Sequence, residues 1–71
     1  MTPATVKSIR KSLGLTQNEL GRWLMLSGEQ PGHTVRMWEM GKRPVTGPVE
    51  VCLTAFAGGY VPGHIDGETV K

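Results

Sequence analysis

The chain has 71 residues, with eight Lys or Arg against six Asp or Glu, and a single cysteine, Cys52. This length allows one domain with a small core, and a single cysteine excludes an intramolecular disulfide. The two histidines, His33 and His64, lie far apart without a cysteine pair, so we expect no metal or other cofactor. A membrane-length apolar segment and a signal peptide are both missing, which predicts a soluble cytoplasmic protein.

The positive charge is concentrated in the first sixty residues. They carry seven Lys or Arg against four Glu, whereas the last eleven residues carry Asp66 and Glu68 against Lys71. The basic charge therefore belongs to the part of the chain that shows helical periodicity, and it favours an anionic partner.

The first predicted helix begins after Thr2, a favourable N-cap, with Pro3 at the first helical position. Lys7 and Lys11 fall outside its apolar stripe. The apolar stripe consists of Val6, Ile9 and Leu13. Gly14 ends the helix.

The second predicted helix has the clearest local signal, because Thr16 and Glu19 form a T-x-x-E capping box. Gly21 lies inside this helix, where glycine costs roughly 1 kcal/mol relative to alanine. Such a cost suggests that another backbone approaches closely at this position. The apolar stripe consists of Leu20, Trp23 and Leu24.

The stretch SGEQPGHT follows, and a third helix is predicted to begin near His33. Val35 and Trp38 are three residues apart and should face the core. Arg36 and Met37 should face away from it. A glycine ends this helix, and the basic loop GKRP follows.

A fourth helix is predicted with Gly47 as its cap and Pro48 at its first position. Cys52 falls on or beside the buried stripe, which predicts an inert core thiol. The stripe consists of Val49, Leu53 and Phe56, and two glycines at 58 and 59 stop the helix. We expect an all-α bundle of four to five short helices over residues 1–58, with a loose tail or short arm over 59–71.

The stretches LGLTQNEL at 13–20 and TVRMWEMGKR at 34–43, followed by Pro44, resemble the phage repressor/Cro (xenobiotic-response-element-type) helix-turn-helix family. The family pattern runs L-G-L-T-Q-x-E-L-A, then a turn, then T-V-x-x-W-E-x-G-K-R-x-P. The resemblance covers about residues 5–57. It implies a lambda-repressor-like bundle in which the second helix of the motif enters the DNA major groove.

Two departures from the family pattern lie in the second helix and in the turn. Gly21 replaces the usual alanine, and the turn before Thr34 is about four residues longer than in the family. The longer turn relaxes the angle between the two helices.

Trp23 occupies a position that is commonly polar. We expect either that the lengthened turn, through Pro31, covers its ring, or that the ring belongs to a dimer surface.

The resemblance implies that base edges are read from the start of the third helix. Arg36 is the strongest reader, because its guanidinium can bond guanine O6 and N7 together, although a phosphate contact or a solvated arginine is equally open. His33 could donate to a base or a phosphate, or could equally be a helix-capping or loop histidine. Met37 could contact a thymine methyl group or could simply be an exposed methionine. The predicted base-reading residues are Gln30, Gly32, His33, Arg36 and Met37.

The resemblance further implies a set of phosphate contacts around the reading helix. Gln17 matches a family glutamine that binds a phosphate and braces the recognition helix, and a plain exposed helix residue is its alternative. The predicted phosphate-binding residues are Gln17, Thr34, Lys42, Arg43, Thr46 and Gly47. Arg10 and Glu39 match a structural ion pair, while Lys42 and Arg43 are open to being an ordinary basic turn.

The residues do not predict an enzyme. His33 near Glu29 in a Gly/Pro-rich turn is weak evidence for catalysis, and no phosphate loop or paired-carboxylate pattern is present. We expect a DNA-binding transcriptional regulator, most often a repressor in such proteins, acting as a homodimer on a palindromic operator without a small-molecule ligand. The alternative is a protein-interaction module on the same fold, such as the antitoxin of a toxin–antitoxin pair.

Overall fold

The described part of the chain forms four α-helices in a computed structural model that describes residues 1–26 and 30–63. No strand occurs in these residues, so the prediction of a small all-α bundle is confirmed. None of the described helices has the length and apolar character needed to cross a bilayer. The helices are α1 Pro3–Ser12, α2 Gln17–Trp23, α3 Gly32–Glu39 and α4 Gly47–Ala57.

The predicted starts of α1 and α2 are confirmed by their capping hydrogen bonds. The Thr2 hydroxyl accepts from the Thr5 amide at 3.2 Å, with Pro3 as the first helical residue. At α2, the Glu19 amide donates to the Thr16 hydroxyl at 3.1 Å, and the Thr16 amide donates to the Glu19 carboxylate at 2.8 Å. The bond from the Thr16 backbone holds the pKa of the Glu19 carboxyl below its ordinary value.

The fourth helix begins one residue earlier than its predicted cap implied. Thr46 is extended, with φ −77° and ψ 161°, and it is the N-cap. Gly47 is therefore the first helical residue and not the cap, while Pro48 follows it within the first turn. Both residues can occupy a first turn because its N–H groups have no partner within the helix. The predicted stop at Gly58 is confirmed.

The core lies where all four helices meet, and each helix contributes to it. The predicted inward positions Val35, Trp38, Leu53 and Phe56 are buried, as are Val6 and Leu20. Fully burying one such side chain contributes about 1.5–3 kcal/mol, so six residues make a small core in which each one matters.

Cys52 is exposed, so the prediction of a core thiol is wrong. The buried residues of α4 are Leu53 and Phe56, which share one face of the helix. Cys52 lies about 100° around the helix from Leu53 and about 40° from Phe56, at the edge of the buried face, and its thiol stays exposed there.

The ring of Trp23 packs on α4. It meets the ring of Phe56 edge to face at a centroid distance of 5.2 Å, and Phe56 in turn stacks on Tyr60 at 6.3 Å. Pro31 lies against Gly21, and its expected contact with Trp23 stays a prediction. The rest of the expected cover, residues 27–29, lies outside the described residues.

The chain continues past α4 in contact with it. The Tyr60 amide donates to the Ala55 carbonyl oxygen at 3.0 Å, and Pro62 is buried. The described beginning of the predicted tail, residues 59–63, is therefore packed on the bundle. Residues 64–71 lie outside the described part.

The end of α2 is a Schellman motif with Met25 in the left-handed position. The Leu26 amide donates to the Gly21 carbonyl oxygen at 2.9 Å, and the Met25 amide donates to the Arg22 carbonyl oxygen at 3.0 Å. Met25 has a φ of +59° and is 74% exposed. Glycine is the usual residue here, because a left-handed conformation costs other residues roughly 1–2 kcal/mol.

Candidate nucleic-acid interface

A polar network on the inner side of α3 fixes its C-terminal end. Arg10 donates to Glu39 through Nε at 2.7 Å and through Nη2 at 3.2 Å, and its Nη1 donates to the Leu15 carbonyl oxygen at 3.0 Å. The side chains of Arg10 and Glu39 are only 14% and 6% exposed. The predicted ion pair is therefore present, in the two-pronged geometry that makes arginine–carboxylate pairs strong.

Gln17 joins this network from the start of α2. Its side-chain amide donates to the Glu39 carboxylate at 3.2 Å, so it braces the end of α3 as predicted. Its side chain is partly exposed, and the phosphate contact stays a prediction. With Gln17, the network links α1, α2 and α3 through the single carboxylate of Glu39.

The N-terminal end of α3 is held by a residue that the sequence patterns missed. Asn18 in α2 accepts a hydrogen bond from the Gly32 amide through Oδ1 at 2.9 Å. Pro31, the N-cap of α3, makes no side-chain cap bond, so Asn18 supplies a cap from another helix. Asparagine is a common capping residue, but Asn18 lies 14 positions before Gly32, beyond the reach of a local capping pattern.

Gly32 is buried against the start of α2. A Cβ at this position would lie 2.5 Å from the backbone nitrogen and Oδ1 of Asn18 and 2.6 Å from the carbonyl carbon of Gln17. A residue in such contact is a packing residue, and the prediction that Gly32 faces base edges does not fit its burial. The resemblance placed Gly32 at a reading position, whereas the structure packs it against Gln17 and Asn18 of α2.

The prediction of a close backbone approach at Gly21 is confirmed. A Cβ on Gly21 would overlap the Pro31 carbonyl oxygen and lie 2.5 Å from the Pro31 carbonyl carbon. Asn18 and Gly21 are three residues apart in α2 and therefore share a face. They contact Gly32 and Pro31, which are consecutive, so α3 begins directly on this face of α2.

The outward face of α3 carries most of the remaining predicted base readers. Gln30, His33 and Arg36 are exposed, and they follow one another at intervals of three residues. Met37 is partly buried, next to Arg36, and Thr34 is partly buried beside His33. Because residues three and four apart share a helix face, His33, Arg36 and Met37 lie together on it.

The basic loop leaves α3 at its C-terminal end. Gly41, with a φ of +75°, closes a Schellman motif in which the Lys42 amide donates to the Met37 carbonyl oxygen at 2.9 Å. Lys42 and Arg43 follow with exposed side chains, and Thr46 and Gly47 at the start of α4 are exposed too. The cations thus lie about 12 Å along α3 from its first residues.

We call Gln30, His33, Arg36, Met37, Lys42 and Arg43 the α3 surface. Within it Arg36, Lys42 and Arg43 are cationic, and no member is a carboxylate. The carboxylate of α3, Glu39, is turned inward to Arg10. Glu29, the carboxylate near His33 in the sequence, lies outside the described residues.

The α3 surface combines three cationic side chains with the polar side chains of Gln30 and His33. Within residues 1–26 and 30–63, no three His, Cys, Asp or Glu side chains come together in a way that would hold a metal ion. No family model, curated protein or solved structure matches the chain.

Proposed function

We propose that this protein is a sequence-specific double-stranded DNA-binding transcriptional regulator that reads the major groove with α3. The observation that carries the proposal is the division of α3 into two sides. Its inner side is fixed by the buried Val35 and Trp38 and by the Glu39 ion pair. Its outer side exposes His33 and Arg36. A helix that is held on its inner side and exposes an imidazole and a guanidinium on its outer side fits a major groove.

Specificity and affinity belong to different parts of the α3 surface. Arg36 stands at mid-helix and can bond guanine through two parallel hydrogen bonds, which gives sequence discrimination. Lys42 and Arg43 supply charge to the phosphates, which gives affinity without discrimination. Gln17, Thr34 and the exposed start of α4 are the proposed neutral phosphate contacts.

A single reading helix makes few base contacts, so the protein is proposed to act as a homodimer. Two copies on a palindrome place their reading helices one DNA turn apart, about 34–36 Å. Bound in this way in the bacterial cytoplasm, the dimer represses by occupying the operator and excluding polymerase.

The test is selection of bound sequences from random duplexes, followed by salt titration on the selected duplex. The proposal predicts a dominant palindrome and a linear fall of the logarithm of affinity with the logarithm of salt concentration. Absence of any enriched sequence, together with salt-independent binding, would remove it.

A second candidate is a protein-interaction module, such as an antitoxin. It is favoured by exposed apolar side chains, of which Val51 on α4 is 69% exposed and Tyr60 is 58% exposed. Exposed apolar groups of this kind fit a protein partner, which includes a second copy of the chain. A toxin gene in the adjoining reading frame would favour this candidate, and a selected palindrome would favour the regulator.

A further inference from the structure

The start of α3 contacts one face of α2 at two points, Asn18 with Gly32 and Gly21 with Pro31. We propose that Asn18 is a positioning residue for the reading helix, and that Asn18 with Gly21 sets where α3 begins, independently of the length of the connection before it. The inference rests on the proposed function for its consequence in DNA recognition. The contact itself is a property of the protein alone.

The hydrogen bond from the Gly32 amide to Asn18 Oδ1 fixes one point of α3. The amide belongs to the first helical residue, which has no partner inside its own helix. Asn18 is therefore the group that satisfies it, and the 2.9 Å length is that of a well-formed bond.

The contact of Gly21 with Pro31 fixes a second point. Both glycines, Gly21 and Gly32, allow the backbones of α2 and the start of α3 to come closer than any side chain would permit. Two contacts with consecutive residues define the place and the direction in which the chain enters α3. One contact alone would leave α3 able to pivot about it.

With these two contacts in place, the length of the connection between Leu26 and Gln30 has little influence on where α3 begins. The entropy of loop closure grows only with the logarithm of the loop length, so one added glycine should change the free energy of folding little. The two departures from the family pattern are thereby linked. Pro31 lies on α2 at position 21, and its carbonyl group occupies the space that an alanine methyl would need.

The first measurement is amide hydrogen exchange at Gly32 in the full chain. Asn18→Ala should raise the exchange rate at Gly32 by about fivefold to tenfold, the factor expected from losing a helix cap. Asn18→Asp keeps an acceptor oxygen at the same place and should restore slow exchange. Asn18 is an exposed residue, so neither variant empties the core.

The second measurement is the ratio of dissociation constants for a mutated duplex and the selected duplex. Asn18→Ala should lower this ratio by about threefold to tenfold, with the salt slope unchanged, because α3 tilts while the cations remain. Asn18→Asp should keep the ratio within about twofold, although its charge weakens binding to all duplexes. Inserting one glycine between Leu26 and Gln30 should also leave the ratio within about twofold.

The outcomes separate this inference from the proposed function. If the unchanged protein prefers no sequence, the proposed function fails, and exchange at Gly32 alone decides whether Asn18 holds the start of α3. If the protein is specific, an unchanged ratio in Asn18→Ala would overturn the inference. A glycine insertion as damaging as Asn18→Ala would overturn it too, because the connection would then be setting the position of α3.

Discussion

Met25 has an unfavourable backbone conformation, and its apolar side chain is exposed to solvent. Its φ of +59° closes the Schellman motif of α2, and its apolar side chain is 74% exposed. The left-handed conformation is therefore a local cost that no burial of the side chain offsets.

Met25→Gly should stabilise the protein by about 1 kcal/mol, because glycine adopts this φ without steric strain. Urea unfolding at neutral pH measures the change. Met25→Ala is the matched control, since it removes the same side chain but keeps the strain. Equal stability of the glycine and alanine variants would contradict the account.

Gly21 is a glycine inside a helix, where it lowers helix stability but allows the close contact with Pro31. Gly21→Ala should destabilise the protein by about 1–3 kcal/mol, because the methyl group meets the Pro31 carbonyl group. Gly47→Ala is the control, since a Cβ there has no neighbour within 4 Å and alanine favours helix. Chemical denaturation compares the two, and a Gly21→Ala variant as stable as the unchanged protein would rule out the contact.

At the scale of elements, the Arg10–Glu39 pair decides whether α3 keeps its C-terminal end on the bundle. Arg10→Met leaves the Glu39 carboxylate largely buried, with Gln17 as its remaining partner, and should cost about 3–5 kcal/mol. A double-mutant cycle with Glu39→Gln, measured by urea unfolding, should give a total cost well below the sum of the single costs. Additive costs would show that the two side chains do not interact.

The capping box of α2 makes stability depend on pH in a defined direction. The folded protein holds the pKa of Glu19 below its ordinary 4.5, mainly through the Thr16 backbone hydrogen bond. Its contribution is thus present above pH 4.5 and is lost as the pH falls through the lower folded pKa. Urea midpoints of the unchanged protein and Glu19→Gln should converge between neutral pH and pH 3. A difference that stays constant with pH would contradict this.

The helices themselves were largely predictable, because their signals are local. The cap at Thr2, the capping box at Thr16, the stop at Gly58 and the inward pair Val35 and Trp38 each follow from neighbours within a few residues. Such patterns reflect the helical period and the unpaired N–H and C=O groups at helix ends, which depend on local sequence and not on packing between helices.

The predictions that failed depend on packing between helices. Cys52 lies beside the inward stripe of α4, and the helical period alone did not show on which side of the stripe burial ends. Gly32 was predicted to face base edges, yet it packs against Gln17 and Asn18 of α2. Asn18 caps a helix other than its own, which no local pattern reports.

At the scale of the whole molecule, the bundle serves to present one helix. Glu39 holds the C-terminal end of α3, Asn18 and Gly21 meet its N-terminal end, and Val35 and Trp38 bury its inner side. What is left outward is the α3 surface, with its cations and no carboxylate. We propose that this surface divides into a base-reading part and a phosphate-binding part.

The most direct test compares Arg36→Ala with Lys42→Ala on the selected duplex and on its single-base variants. Arg36→Ala should cost about 1–3 kcal/mol on the selected duplex and abolish the preference at one base pair. Lys42→Ala should weaken binding to every duplex alike and reduce the salt slope by about one. The same uniform loss for both variants, with every base preference intact, would contradict the claim that α3 reads the sequence through Arg36.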